Sequence, residues 1–307
     1  MKISTSQLFD ASIAQMNRQQ SNVAEMQAKL ATGKSLVKPS DDAEKAALIQ
    51  RLNSAMQRQD SFKLSLNRAD SRLRMEETAL SSAQNMLQRI RELAIQGSNG
   101  GLSDADRTII AKEVTSLRDG LFSLANTEDE SGNFIFSGTA VETPAFSKDD
   151  DGVINYRGDQ NQTSIDISEY RQVGINRPGD AVFSSIVRTN DNGDKTTTGF
   201  FNVISDFTGA LESGNLGALS QGLIDISELT DEMALSLADV GSRMNTVDGQ
   251  KGILADTKLR YQELLSNAED LDYATAVTKL SAQMLSLEAA QASFAKISQL
   301  NLFNYLR

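Results

Sequence analysis

Three observations predict a mainly α-helical chain: a long antiparallel helical rod or coiled-coil bundle with terminal helices and a small inserted antiparallel β subdomain. Residues 43–96 and 216–268 each carry a long four-three spacing of mostly apolar residues. Between them, residues 140–200 alternate polar and apolar side chains around turn dipeptides. Outside them, each end adds one more amphipathic helix behind a turn-rich linker. The layout is a mirror: terminal helix, linker, rod, insertion, rod, linker, terminal helix.

The N-terminal helix spans residues 1–32. Phe9, Ile13, Met16, Gln20, Val23, Gln27 and Leu30 keep the four-three spacing, with two glutamines in the stripe. Thr32-Gly33-Lys34 stops it, since glycine suits the left-handed cap. Pro39-Ser40-Asp41-Asp42 then supplies a turn and an N-cap for the first rod. That rod has its seam at Leu48, Leu52, Ala55, Gln59, Phe62, Leu66, Ala69, Leu73, Glu76, Leu80, Ala83, Leu87, Ile90 and Ala94. Only Gln59 and Glu76 interrupt it. At ~1.5 Å per residue the rod is roughly 80 Å long, so it requires partner helices along its axis.

Three glycines within Gly97-Ser98-Asn99-Gly100-Gly101 end the rod, and Ser103 with Asp106 forms a capping pair for a third helix. That helix carries Ile110, Val114, Leu117, Leu121 and Leu124 and ends near Asn126. Strands are expected at residues 134–136, 153–156, 164–168, 172–175 and 181–188, with hairpin turns at Asp151-Gly152 and Asn192-Gly193. The acids of this region do not form an EF-hand. Setting Gly132, Gly152 or Gly193 at the sixth loop position puts Gly138, Gly158 or Gly199 where the bidentate Glu belongs.

A short helix over residues 200–211 is closed by Ser213-Gly214. The second rod follows through Leu216, Leu219, Leu223, Ile226, Thr230, Met233, Leu237, Val240, Met244, Val247, Lys251, Leu254, Lys258, Tyr261, Leu265 and Ala268. It matches the first in length and is its antiparallel partner. The frame slips at Asp270-Leu271-Asp272-Tyr273. It resumes at Val277, Leu280, Met284, Leu287, Gln291 and Phe294, running into Ile297 and Leu300. A second stripe on this last helix reads Ala282, Leu285, Ala289, Ala292, Phe303 and Leu306. The expected domains are 1–42, 43–139, 140–200, 201–269 and 270–307.

Composition narrows function. The net charge of −11 argues against a general nucleic-acid binder. Residues 1–100 hold 14 Lys/Arg against 10 Asp/Glu, which leaves −15 for the remainder and permits charge complementarity between copies. With no Cys and no His, disulfides, thiolate nucleophiles, imidazole bases and Cys/His zinc sites are excluded. Paired carboxylates at Asp41 and Asp42 or Asp149 to Asp151 lie in turns that capping explains better than catalysis. No secretory signal or membrane span is legible. Composition alone therefore reads as a cytoplasmic protein.

Specific stretches resemble the flagellin-like family of bacterial flagellar proteins. They are Met1-Lys2-Ile3-Ser4-Thr5, Leu30-Ala31-Thr32-Gly33-Lys34 and Lys38-Pro39-Ser40-Asp41-Asp42 near the start. Asn133-Phe134-Ile135-Phe136-Ser137-Gly138-Thr139 is similar to the segment that caps the rods in junction members of the family. Asp270-Leu271-Asp272-Tyr273-Ala274 and Ser298-Gln299-Leu300-Asn301-Leu302-Phe303-Asn304-Tyr305-Leu306 are similar to the C-terminal end of those members.

The resemblance implies a structural adaptor between hook and filament, with no catalysis and no cofactor or metal. The same resemblance also admits a short flagellin that forms the filament itself. It implies export through the flagellar type III apparatus with an uncleaved signal, and an extracellular place in the flagellum. The implied partners are further copies of the chain in a ring, hook-associated protein 1 on the hook side, flagellin on the filament side, and an export chaperone before secretion. Neither nucleic acid nor membrane insertion is implied. The terminal helices become an assembly surface carrying Phe9, Ile13, Met16, Val23, Leu30, Leu285, Ala289, Ala292, Phe294, Ile297, Leu300, Phe303 and Leu306.

Overall fold

The computed structural model describes residues 2–189 and 195–305, with side-chain surroundings over 9–188 and 195–296. Seven helices and six short strands follow in order. The helices are α1 (Lys2–Thr32), α2 (Ala43–Gly97), α3 (Asp104–Ala125), α4 (Gly179–Val182), α5 (Phe200–Ser213), α6 (Leu216–Glu269) and α7 (Tyr273–Tyr305). The strands are β1 (Phe146–Lys148), β2 (Ile154–Tyr156), β3 (Ser164–Ser168), β4 (Arg171–Gly174), β5 (Ile186–Thr189) and β6 (Lys195–Thr198). Packing divides the chain into two compact units, Asp60–Leu254 and Met1–Gln59 with Ala255–Arg307. Both long helices contribute to each.

The heptad seams become the helical core. From Leu66 to Ala94, every seam position of α2 is buried, Glu76 included. On α6, Leu219, Ile226, Met233, Val240, Val247 and Leu254 are buried in the same spacing. Burying a Leu side chain contributes about 1.5–3 kcal/mol, so these seams outweigh the weak intrinsic helix propensity of their polar faces.

Local signals set the helix ends. Gly33 has φ 71° and Gly214 φ 67°, the left-handed conformation that only glycine adopts without steric cost. The Asp42 carboxylate accepts from the Lys45 amide at 3.0 Å. The Ser103 hydroxyl accepts from the Asp106 amide at 3.2 Å, and Asp272 caps α7 through the Ala274 and Thr275 amides. The expected Asp151-Gly152 turn is present, with Gly152 at φ 84°, while Asn192-Gly193 lies outside the described residues.

In the insertion, three antiparallel hairpins form separate two-stranded sheets: β1-β2, β3-β4 and β5-β6. Two expected strands are corrected. Residues 134–136 form no strand, because their backbone groups bond to scattered residues of α2, β2 and α4 instead of to one neighbouring strand. The Phe136 carbonyl accepts from the Gly179 amide at 2.7 Å and the Tyr156 hydroxyl at 3.2 Å. Residues 179–182 form the single turn of α4, so of the expected 181–188 strand only 186–188 is extended, as part of β5. The sequence reading missed β1 and β6, which are three and four residues long. β6 reads Lys195-Thr196-Thr197-Thr198 and β1 Phe146-Ser147-Lys148, with at most one apolar residue each, so neither shows an apolar–polar alternation.

An aromatic cluster joins the hairpins to the helices of this unit. Phe183 meets Phe136, Phe146, Phe200 and Phe201 at centroid distances of 5.2–5.9 Å. Asn126, just past α3, donates to the Phe146 carbonyl and accepts its amide, both at 2.9 Å, and so ties the helix end to β1. The apolar core runs without interruption from the Leu66 end of α2 through Ile167, Val173 and Ile186.

Candidate assembly surface

In the unit that holds both termini, α1 and α7 form an antiparallel pair. Phe9 meets Phe294 at 4.7 Å between ring centroids, while at the opposite end Lys34 pairs with Asp270 as an antiparallel bridge. The linkers that follow α1 and precede α7 are stitched together. The Ser35 amide donates to the Glu269 carbonyl at 2.7 Å, the Leu271 amide donates to the Gly33 carbonyl at 3.0 Å, and Lys34 forms an ion pair with Glu269. Gly33 lies against the Tyr273 ring, where a Cβ would stand 2.8 Å from the hydroxyl oxygen. A cleft of about 610 Å³ lies beside the linker, lined by Leu36, Val37, Pro39, Ile49 and neighbouring polar groups.

The seam of this pair differs in detail from the sequence reading. On α1 the less exposed positions are Phe9, Ser12, Met16, Gln19, Val23, Met26 and Leu30, while Ile13, Gln20 and Gln27 face out. On α7 they are Ala276, Leu280, Gln283, Leu287, Ala290 and Phe294, while Val277, Met284 and Gln291 face out. Every second position has moved back by one residue on both helices. Four-three and three-four spacings from the same anchors are equally periodic, so apolar content alone does not set helix rotation. Here the Phe9–Phe294 contact and the stitched linkers set it. The seam is polar for a helix pair, with Ser12, Gln19 and Gln283 in it, and the Gln283 side-chain oxygen is buried without a hydrogen-bond partner.

The expected assembly residues therefore separate into three groups. Phe9, Met16, Val23, Leu30 and Phe294 lie in the seam between α1 and α7. Ile13, Leu285, Ala289 and Ala292 face outward, Leu285 at 68% exposure. The side chains of Ile297, Leu300 and Phe303, and the whole of Leu306, lie outside the described residues. Tyr273, Val277 and Met284 add to the exposed apolar surface of α7, and the sequence reading did not place them there.

Within the other unit, Ile135 to Thr139 is a hub of hydrogen bonds. Arg72 of α2 donates to the Ile135 carbonyl at 3.1 Å. The Ser137 carbonyl accepts from the Asp159 amide at 3.1 Å, and the Gly138 carbonyl accepts from Asn176 at 2.8 Å. The Thr139 hydroxyl and amide both donate to the Asp159 carboxylate, at 2.5 and 3.0 Å. Those bonds, led by the hydroxyl, hold the Asp159 carboxyl at about 2, below the usual 3.8. Burial pushes the Tyr156 phenol up to about 12. A Glu76–Arg243 ion pair at 2.9 Å crosses from α2 to α6. Among the described residues, no group of three or more acidic side chains is placed to hold a metal ion. Nor is any described helix long and apolar enough to cross a membrane.

Comparisons with known proteins follow this geometry. The family described as the bacterial flagellin N-terminal helical region matches residues 3–141. Flagellar hook-associated protein 3 of Escherichia coli (strain K12) is 25% identical over 99% of both chains. Its namesake in Salmonella typhimurium is 24% identical over 100% of both. The crystal structure of a flagellar junction protein from Legionella pneumophila superposes with a TM-score of 0.63 at 20% identity, covering 74% of this chain and 100% of that one.

Proposed function

From a chain that belongs to the flagellin-like family and is similar to hook-associated protein 3 from end to end, we propose a structural adaptor that joins hook to filament at the hook–filament junction. The observation that carries this reading is the match to hook-associated protein 3 over 99% of both chains. It spans the terminal helices, both rods and the insertion together.

The exposed stripe of α7 supports the reading physically. An α1–α7 pair with a polar seam and with Ile13, Val277, Met284 and Leu285 facing out leaves apolar surface for further helices to cover. The proposed partners are copies of this chain in a ring, hook-associated protein 1 toward the hook, flagellin toward the filament, and an export chaperone before secretion. The route is the flagellar type III apparatus, and the role is mechanical, without catalysis.

The test is to label flagellated cells with antibody to this chain and to delete it. Label at the boundary of hook and filament, together with flagellin released into the medium by the deletion strain, is the expected result. Label along the whole filament, or polymerisation of the purified chain alone into long filaments, would establish a short flagellin instead.

A further inference from the structure

The outer face of α6 carries Ile224, Glu228, Asp231 and Leu235 in four-three-four spacing, which is a single stripe. Ile224 is 61% and Leu235 64% exposed, and the two acids between them are exposed as well. On α3, Ile109 is 66% exposed, and exposed Lys112 stands one turn further on. Among the described residues, Lys112, Glu228 and Asp231 form no ion pair within the chain. Other charges nearby do: Arg89 holds Glu92 and Glu113, and Arg188 holds Asp206 and Asp225. Ile224 and Leu235 with the unpaired acids between them, and Ile109 beside unpaired Lys112, leave apolar area and charges of opposite sign that a partner can cover and neutralise.

The two faces lie at one height on opposite sides of the helical unit. Arg89 to Glu113 sets α3 against α2, and Glu76 to Arg243 together with Asp70 to Lys251 sets α6 antiparallel to α2. Counting equally from those pairs brings Lys112 level with the turn between Glu228 and Asp231. Both helices also flank α5, α3 through Phe122 on Phe201 and α6 through Gly222 on Phe207. Helices α3 and α6 therefore stand across the unit from each other.

We infer that neighbouring copies meet side by side through these faces, Ile109 and Lys112 of one copy against Ile224, Glu228, Asp231 and Leu235 of the next. The inference rests on the ring of copies proposed above. Charge complementarity selects this occupant, because a like-with-like pairing of the α6 faces would set carboxylates against carboxylates. Joining two different faces at equal height gives a head-to-tail contact, the kind that closes into a ring.

The chain has no cysteine, so introduced thiols are the only ones present. Full-length Ile109→Cys/Ile224→Cys is expressed in place of the native chain, and isolated flagella are mildly oxidised and run on a non-reducing gel. The expected result is a ladder of covalent multimers from the double variant and none from either single variant. Lys112→Glu should abolish the ladder, and adding Glu228→Lys with Asp231→Lys should restore it. Dimers from Ile109→Cys alone would overturn the contact, as would monomers only from a chain that antibody places at the junction. Absence of the chain from the flagellum would overturn the junction reading and this contact with it.

Discussion

Replacing Arg243 by Met and Glu76 by Leu, singly and together, tests how the rods are held in register. In the α2 seam Glu76 is the one charged position, and its side chain is 4% exposed against 13% for Arg243. Removing one partner of a buried pair costs about 3–5 kcal/mol, because the other charge is left uncompensated. The two single variants should differ. Without Glu76, Arg243 keeps Asp239 at 3.1 Å and the Gly174 carbonyl at 3.3 Å, so Glu76→Leu falls at the low end, about 3 kcal/mol. Without Arg243, Glu76 loses its hydrogen-bonded partner, and Arg243→Met falls near about 5 kcal/mol at pH 8.

Protonation then relieves the Arg243→Met variant. Burial already raises the Glu76 carboxyl above its usual 4.5, opposed chiefly by the Arg243 charge. A raised carboxyl favours the folded state as pH falls from the folded value toward the unfolded one. The Arg243→Met penalty should therefore shrink on acidification, by up to about 1.4 kcal/mol per pH unit. The double variant should return to within about 1 kcal/mol of the native chain or exceed it. Urea titration followed by far-UV circular dichroism reads these values. With a slope of about 3 kcal/mol per M, the singles shift the midpoint by about 1–2 M. Single penalties below about 1 kcal/mol, or a double penalty equal to their sum, would refute a coupled buried pair.

Three further outcomes are expected. Gly138→Ala places a Cβ 2.3 Å from the Asp159 carbonyl and carboxylate oxygens at φ 71°, so the left-handed backbone alone should cost about 1–2 kcal/mol and Asp159 must also shift, whereas a midpoint within error in urea would contradict the hub. Acid titration should show stability contributed by Asp159 above pH 3.8 and lost as pH falls toward about 2, and Thr139→Val should remove much of that step, so an unchanged acid limb in this variant would count against it. Leu285→Asp should leave thermal unfolding of the free chain within about 0.5 kcal/mol, since the side chain is exposed, while flagellin is shed from cells carrying it; normal filaments would exclude α7 from the assembly surface.

The long helices were legible from the sequence because a heptad repeat is local information repeated many times. Leu66, Leu73, Leu80 and Leu87 must share one face of any helix they form, and all are buried. Two caps were legible for the same reason, Asp42 and Ser103 acting on amides three residues away, while the Asp272 cap of α7 was read only as a slip of the frame. Resemblance at both chain ends and at residues 133–139 pointed to the family, which neither composition nor periodicity could identify.

Tertiary structure decided whatever depends on residues distant in sequence. Glu76 was legible only as an interruption of its seam, because Arg243 lies far along the chain and no spacing rule connects them. Phe134 to Phe136 looked like a strand on composition, yet its backbone groups serve Gly179, Tyr156 and Arg72. The rotation of α1 and α7 followed from the Phe9–Phe294 contact and the paired linkers, which turned Ile13 and Val277 outward and Ser12 and Ala276 inward. Periodicity states which residues share a face of a helix. Which way that face turns depends on the partner, and the partner is brought there by the fold of the whole chain.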